Sequence, residues 1–182
     1  KIYWPTPQYK EYKKNFELIN KINSKNNKNV KFFKIGIPTQ AEYLDLKPLI
    51  KSLTEIILKL DTTKKIIINI KLHPRETESS SKAYKKLSDE FSFIYLESKD
   101  TSLLSWLSDT DIIIGSSSTV LYWAQCLEIP IISVIFQRNF YLKGLLPHLP
   151  ENSLEFNLRK DFKFSLKNEI IKILKSSNKK FF

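Results

Sequence analysis

The sequence predicts an α/β domain in which a parallel sheet is covered by helices on both faces. Three observations carry that expectation. Short apolar runs alternate with segments of helical periodicity along most of the chain. The runs Ile66-Ile67-Ile68 and Ile112-Ile113-Ile114 are apolar at every position, so both faces of those strands must be covered. The runs end at Gly, Pro or hydroxyl residues, the punctuation of tight strand-to-helix turns.

The elements follow in order. Residues 1–9, with Trp4, Pro5 and Pro7, read as an irregular lead-in. Residues 10–22 carry Tyr12, Phe16 and Ile19 at helical spacing, and 23–29 form a polar linker. A first strand over 30–37 stops at Gly36 and Pro38. A helix over 46–60 turns Leu46, Leu49, Ile50, Leu53, Ile56, Ile57 and Leu60 inward. A second strand over 65–72 is halted by His73-Pro74, because the residue before a proline is pushed out of the helical region. A short helix over 80–88 and a third strand over 91–96 come next. A helix over 101–108, with Leu103, Leu104 and Leu107 inward, leads to a fourth strand over 111–114. That strand runs into Gly115-Ser116-Ser117-Ser118-Thr119 and a helix over 119–127. A fifth strand over 130–136 and a closing helix over 165–175 complete the pattern. This βαβαβαβαβ order gives a doubly wound parallel Rossmann-like sheet in a three-layer αβα sandwich. Right-handed crossovers place the strands 3-2-1-4-5.

The chain has 182 residues, one domain with short flanks. The expected division is a basic lead-in helix and linker over 1–34, the Rossmann-like domain over 35–150, and a basic segment with the closing helix over 151–182. Hydrophobic residues make up 42% and aromatics 13%, which excludes a disordered chain. No apolar run approaches the length of a membrane-spanning helix. One cysteine, Cys126, excludes an intrachain disulfide framework and a cysteine-rich zinc site, and fits a reducing compartment. Met is absent even at position 1, and the expectation is a piece of a longer protein.

The net charge of +11 is unevenly placed: +7 over 1–34, 0 over 35–150 and +4 over 151–182. A nucleic-acid module would carry its basic patch on the folded body, so nucleic acid is not the expected partner. Basic flanks suit an anionic membrane surface or an acidic polymer, and also suit plain solvation.

In a doubly wound sheet, ligands bind beyond the carboxyl ends of the strands, where strand order reverses. That point brings together Gly36-Ile37-Pro38-Thr39, Lys71-Leu72-His73-Pro74-Arg75-Glu76 and Gly115-Ser116-Ser117-Ser118-Thr119. Gly115 permits a tight turn, and the hydroxyls of Ser116, Ser117, Ser118 and Thr119 stand at a helix start, where free N–H groups favour an anion. Ordinary N-capping needs only one of them. His73, fixed by Pro74, is placed to donate a hydrogen bond or a proton to a leaving phosphate. Arg75 pairs either with phosphate or with Glu76 or Glu78. Lys71 lines an edge, Arg138 follows the fifth strand on the ligand side, and His148 falls in a Pro-rich loop as a structural or incidental residue. Tyr122, Trp123 and Cys126 are expected to pack.

Other chemistries lack their residues. Asp109-Thr110-Asp111 has a metal-motif spacing but precedes its strand, at the edge away from the ligand. There is no dinucleotide glycine fingerprint, no phosphate-loop lysine motif, no nucleophile elbow and no metal cluster.

Together, Lys71-Leu72-His73-Pro74-Arg75-Glu76 and Asp111-Ile112-Ile113-Ile114-Gly115-Ser116-Ser117-Ser118-Thr119 resemble the HP and serine motifs of bacterial GT-B glycosyltransferases. The resemblance is to the sialyltransferase and polysialyltransferase-like families of capsule and lipooligosaccharide synthesis. It covers about residues 35–136 and includes Ile129-Pro130-Ile131-Ile132. It implies a metal-independent, inverting transfer from a CMP-activated, sialic acid-like sugar to a surface glycan. It further implies that His73 and the hydroxyls of Ser116, Ser117, Ser118 and Thr119 contact the donor phosphate; Gly36, Pro74, Arg75, Gly115 and Arg138 are further candidates for the donor site. The general base would lie in an amino-terminal Rossmann domain that this chain has no room for. The chain is then expected to be the donor-binding half, inactive alone, in the cytoplasm or at the inner face of the bacterial plasma membrane.

Alternatives are a CDP-glycerol or CDP-ribitol polymer transferase, whose serine loop follows an Asp-Tyr pair where this chain has Ile114-Gly115, and a UDP-sugar 2-epimerase. A non-catalytic module binding polyanions or protein through the basic ends is the alternative of another class.

Overall fold

A computed structural model describes residues 14–18, 32–40, 44–116, 118–136, 154–156 and 160–177. The strands are β1 (Phe32–Pro38), β2 (Lys65–Lys71), β3 (Ile94–Glu97), β4 (Ile112–Gly115), β5 (Ile131–Ile135) and β6 (Leu154–Glu155). The helices are α1 (Lys47–Leu58), α2 (Glu78–Glu90), α3 (Leu103–Ser108), α4 (Thr119–Cys126) and α5 (Lys160–Ser177). Residues 14–18 are also helical, within the helix expected over 10–22.

The sheet runs β3-β2-β1-β4-β5-β6, with every pairing parallel. The first five strands stand in the expected order. The sixth, two residues long and paired to β5, was not expected. Ile35 lies beside Ile68 on one side and Ile112 on the other, which puts β1 and β4 at the switch in strand order.

The sheet separates two cores. Phe33, Ile35, Ile37, Ile112 and Ile114 pack with Leu49, Ile50 and Leu53 of α1, Tyr84 and Leu87 of α2, and Phe162, Leu166 and Ile170 of α5. Ile113 points the other way and packs with Trp106 and Leu107 of α3 and Leu121 and Ala124 of α4. Successive side chains of one strand alternate between faces, so the triple isoleucine of β4 feeds both cores. The result is the doubly wound three-layer sandwich. Burial of each such side chain stabilises the fold by about 1.5–3 kcal/mol.

Local chemistry sets the helix starts. Thr77 caps α2 by accepting from Ser80 N at 3.2 Å, so α2 begins two residues earlier than periodicity indicates. Ser102 caps α3 through Ser105 N at 3.1 Å. Pro48 stands in the first turn of α1, where a missing N–H costs nothing. The end of α4 is a Schellman turn: Ile129 N donates to Ala124 O and Glu128 N to Gln125 O, with Glu128 at φ 60°.

The Asp109-Thr110-Asp111 segment is a helix-to-strand turn at the amino edge of the sheet, as expected. Lys34 Nζ donates to Asp109 Oδ1 at 2.6 Å, and Lys34 N donates to Asp111 Oδ2 at 2.8 Å. Asp111 N returns a bond to Lys34 O at 3.0 Å.

Candidate functional site at the strand switch

The carboxyl ends of β1, β2 and β4 are joined by specific contacts. Thr39, one residue past β1, is 2% exposed. Its N–H continues the ladder to Lys71 O at 2.9 Å. Its hydroxyl accepts from His73 N at 2.8 Å and donates to Glu76 Oε2 at 2.6 Å. Glu76, 5% exposed, also accepts from Ser80 Oγ in the first turn of α2. A buried carboxylate thus holds Thr39, and Thr39 holds the backbone of His73. On the other side of β1, a Cβ built on Gly115 would stand 3.5 Å from Pro38, so β4 ends directly against β1.

His73 is half-buried, and Pro74 and Arg75 beside it are exposed. Arg75 N donates to His73 Nδ1 at 3.1 Å. Nδ1 is therefore an acceptor, and the neutral ring carries its proton on Nε2. The local turn fixes the tautomer that presents a donor to a ligand.

The hydroxyl segment divides. Ser116 is completely buried. Ser118 is the N-cap of α4, accepting from Val120 N at 3.2 Å. Thr119 is exposed at the first position of the helix, and that first turn carries no acid. Ser117, Arg138 and His148 lie outside the described residues.

Gly36 has a different place from the one expected. Strand β1 continues through Pro38, so Gly36 is inside the strand, beside Asn69 and Ile113. A Cβ there would meet Ile113 Cδ1 at 2.7 Å, Thr110 Cγ2 at 2.8 Å and Trp106 Cη2 at 2.9 Å. The missing side chain makes room for Trp106 of α3 and for Thr110 and Ile113.

Lys71 lines an edge, as expected. Its Nζ donates to Ser98 O at 2.7 Å, and burial lowers its pKa against the opposing pull of Glu97 and Asp100. Burial alone would raise the pKa of Glu97. Bonds from Asn69, Thr101 and Ser98 N, with the charge of Lys71, bring it below the usual value. Cys126 donates to Tyr122 O at 2.8 Å, and burial pushes its thiol up to about 11, too high for a nucleophile at neutral pH. Among the described residues, no three His, Cys, Asp or Glu side chains cluster to hold a metal ion. Among them, too, no helix is long and apolar enough to cross a membrane.

Sequence reasoning missed the Thr39–Glu76–Ser80 chain of bonds and gave Glu76 only as one alternative partner for Arg75. The available signal was Thr39-Gln40, two polar residues directly after an apolar strand at the switch point.

Solved structures share this architecture. The E. coli ADP-heptose lipopolysaccharide heptosyltransferase II superposes with a TM-score of 0.56 at 11% identity, covering 98% of this chain and 56% of that one. The Thermosulfurimonas dismutans KpsC, a beta Kdo 2,4 transferase, gives 0.45 at 15% identity, covering 72% and 46%. The wall teichoic acid polymerase TagF gives 0.45 at 15% identity, covering 86% and 38%. The chain therefore spans roughly half, or less, of the length of the structures it matches. The heptosyltransferase likeness is one of fold, consistent with one half of a GT-B architecture. No curated protein matches the sequence. The family model described as "Protein of unknown function (DUF354)" matches residues 6–146, well over half of the sequence, and the chain belongs to that family.

Proposed function

We propose that the chain is the donor-binding half of a GT-B glycosyltransferase, taking a nucleotide-activated sugar at the carboxyl edge of β1, β2 and β4. The observation that carries the reading is His73: its backbone is held by Thr39 and its Nδ1 by Arg75 N, which leaves Nε2–H as a fixed donor. Thr39 sits between His73 and the start of α4, where exposed Thr119 and a first turn without acids favour a phosphate.

In the transfer, an acceptor hydroxyl oxygen bonds to the anomeric carbon as the anomeric carbon–phosphate oxygen bond breaks. The bonding pair leaves on the phosphate oxygen, and the acceptor's proton passes to a base in a second Rossmann domain. Charge growing on the phosphate is met by His73 Nε2–H and the amino end of α4. Both groups are oriented before reaction, so little reorganisation is needed.

The CMP-sugar donor implied by the sequence resemblance finds less support than a nucleoside-diphosphate donor. The structure of TM-score 0.56 is named for ADP-heptose, and the CDP-glycerol, CDP-ribitol and UDP-sugar alternatives share that diphosphate chemistry. The basic ends would steer an acidic glycan or rest on an anionic membrane.

Calorimetric titration of the chain with CMP, CDP, UDP and ADP, without magnesium, tests the reading. One nucleotide should bind saturably and in preference to the others, and His73→Ala should weaken it at unchanged Tm. Failure of all four to bind, or indifference to His73→Ala, would overturn it.

A further inference from the structure

Four buried side-chain atoms among the described residues have no hydrogen-bond partner: Gln40 Nε2, Asn69 Oδ1, Ser81 Oγ and Trp106 Nε1. Asn69 lies within β2 with its amide nitrogen bonded to Glu97 at 3.0 Å, Ser81 within α2, and Trp106 in α3 beneath Gly36. Ser81, in the first turn of α2, and Gln40 both stand at the carboxyl edge of the sheet, and Gln40 is the one directly beyond β1, at the switch in strand order. It follows Thr39, which fixes His73, and stands two residues from Pro38, which abuts the end of β4.

Gln40 is 9% exposed. A buried amide donor without a partner destabilises a folded chain, so its presence calls for a compensating role, and beside a ligand-binding edge a ligand oxygen supplies one. We infer that Gln40 is a ligand-contacting residue of the donor site, its Nε2 donating to an oxygen of the bound nucleotide. The inference rests on the donor-site reading above and extends it to a side chain outside the His-Pro and serine segments. A neutral amide donor fits a phosphoryl oxygen or a carbonyl or hydroxyl oxygen of the nucleoside. Such a site discriminates strongly against ligands lacking that oxygen, because they would leave the amide unpaired.

Gln40→Met keeps the length of the side chain and removes the orphaned donor. The variant should melt about 2–4 °C higher than the parent without ligand. Its Kd for the preferred nucleotide among CMP, CDP, UDP and ADP should rise on the order of tenfold. Inorganic pyrophosphate identifies the oxygen. A weakening seen with pyrophosphate too assigns the contact to phosphate, and one confined to nucleotides assigns it to the nucleoside. An unchanged Kd or a lowered Tm would overturn the inference and leave the donor site standing. Absence of binding by the parent chain would remove the donor site itself. Should Gln40→Met fail to fold, Gln40→Glu replaces the donor by an acceptor of the same shape, and nucleotide binding equal to the parent's would be decisive against the contact.

Discussion

Gly36→Ala separates a packing role from a ligand role with one methyl group. The added Cβ would lie 2.7, 2.8 and 2.9 Å from Ile113, Thr110 and Trp106, where carbon atoms ordinarily rest about 3.5–4.0 Å apart. Each neighbour must therefore retreat by about 1 Å. Ile113 is completely buried and Trp106 is 1% exposed, so neither has space behind it. Overpacking of this kind costs up to about 3 kcal/mol. Alanine restricts the unfolded chain and returns about 0.4–1 kcal/mol, because Gly36 has no left-handed backbone to protect. The net is a loss of about 2 kcal/mol, or a Tm lower by about 4–8 °C. Urea unfolding should show a reduced midpoint at constant slope. Gly115→Ala is the milder comparison: the nearest atoms to its Cβ would be Leu121 Cδ1 at 3.2 Å and Pro38 at 3.5 Å, so it should destabilise less than Gly36→Ala. If Gly36→Ala left the urea midpoint unchanged and weakened nucleotide binding, the packing argument would be wrong and Gly36 would belong to the ligand site.

Other substitutions probe the surroundings of the site. Thr39→Val removes the bonds to His73 N and Glu76 while keeping the shape. It should destabilise by about 1–3 kcal/mol in urea unfolding and weaken nucleotide binding in calorimetry. Tyr84 is buried, and burial raises its pKa to about 12 from 10.0, against the bond from Leu46 N. A raised folded-state pKa means its stabilisation is complete below pH 10 and is lost as pH rises toward 12. Tyr84→Phe should flatten the alkaline fall of the urea midpoint across that interval. Glu128→Gly relieves a side chain held at φ 60°, and should raise the Tm by about 2–4 °C.

The order of the first five strands was legible because Ile66-Ile67-Ile68 and Ile112-Ile113-Ile114 admit only strands covered on both faces. β6 was not, because Leu154-Glu155 is too short for any periodicity and exists only by pairing with β5. Helix α5 runs further than the expected 165–175, since Phe162 belongs to the main core and draws the helix back to Lys160. At the site, the positions of His73 and the hydroxyl segment followed from topology. The burial of Ser116, the packing of Gly36 and the tie from Thr39 to Glu76 depend on which way side chains point in three dimensions. The packing at Gly36 was not legible, because a glycine near a strand end looks like a turn, whereas β1 continues through it and needs no side chain where Trp106 crosses it.

Three identical side chains in a row give β4 a weak sense of its own alignment. A slip by one position would keep isoleucine in two of the three slots, and only the third, in the main core, would register the error by receiving Gly115 or Asp111. Further reference marks lie outside the apolar triplet, in the paired bonds between Asp111 and Lys34 at one end and the seat of Gly115 against Pro38 at the other. A shift would break the first and bring Ile114 or Ser116 into the second. The acidic turn on the far side of the sheet therefore indexes the strand, and in doing so determines how far Ser118 and Thr119 reach beyond its opposite end.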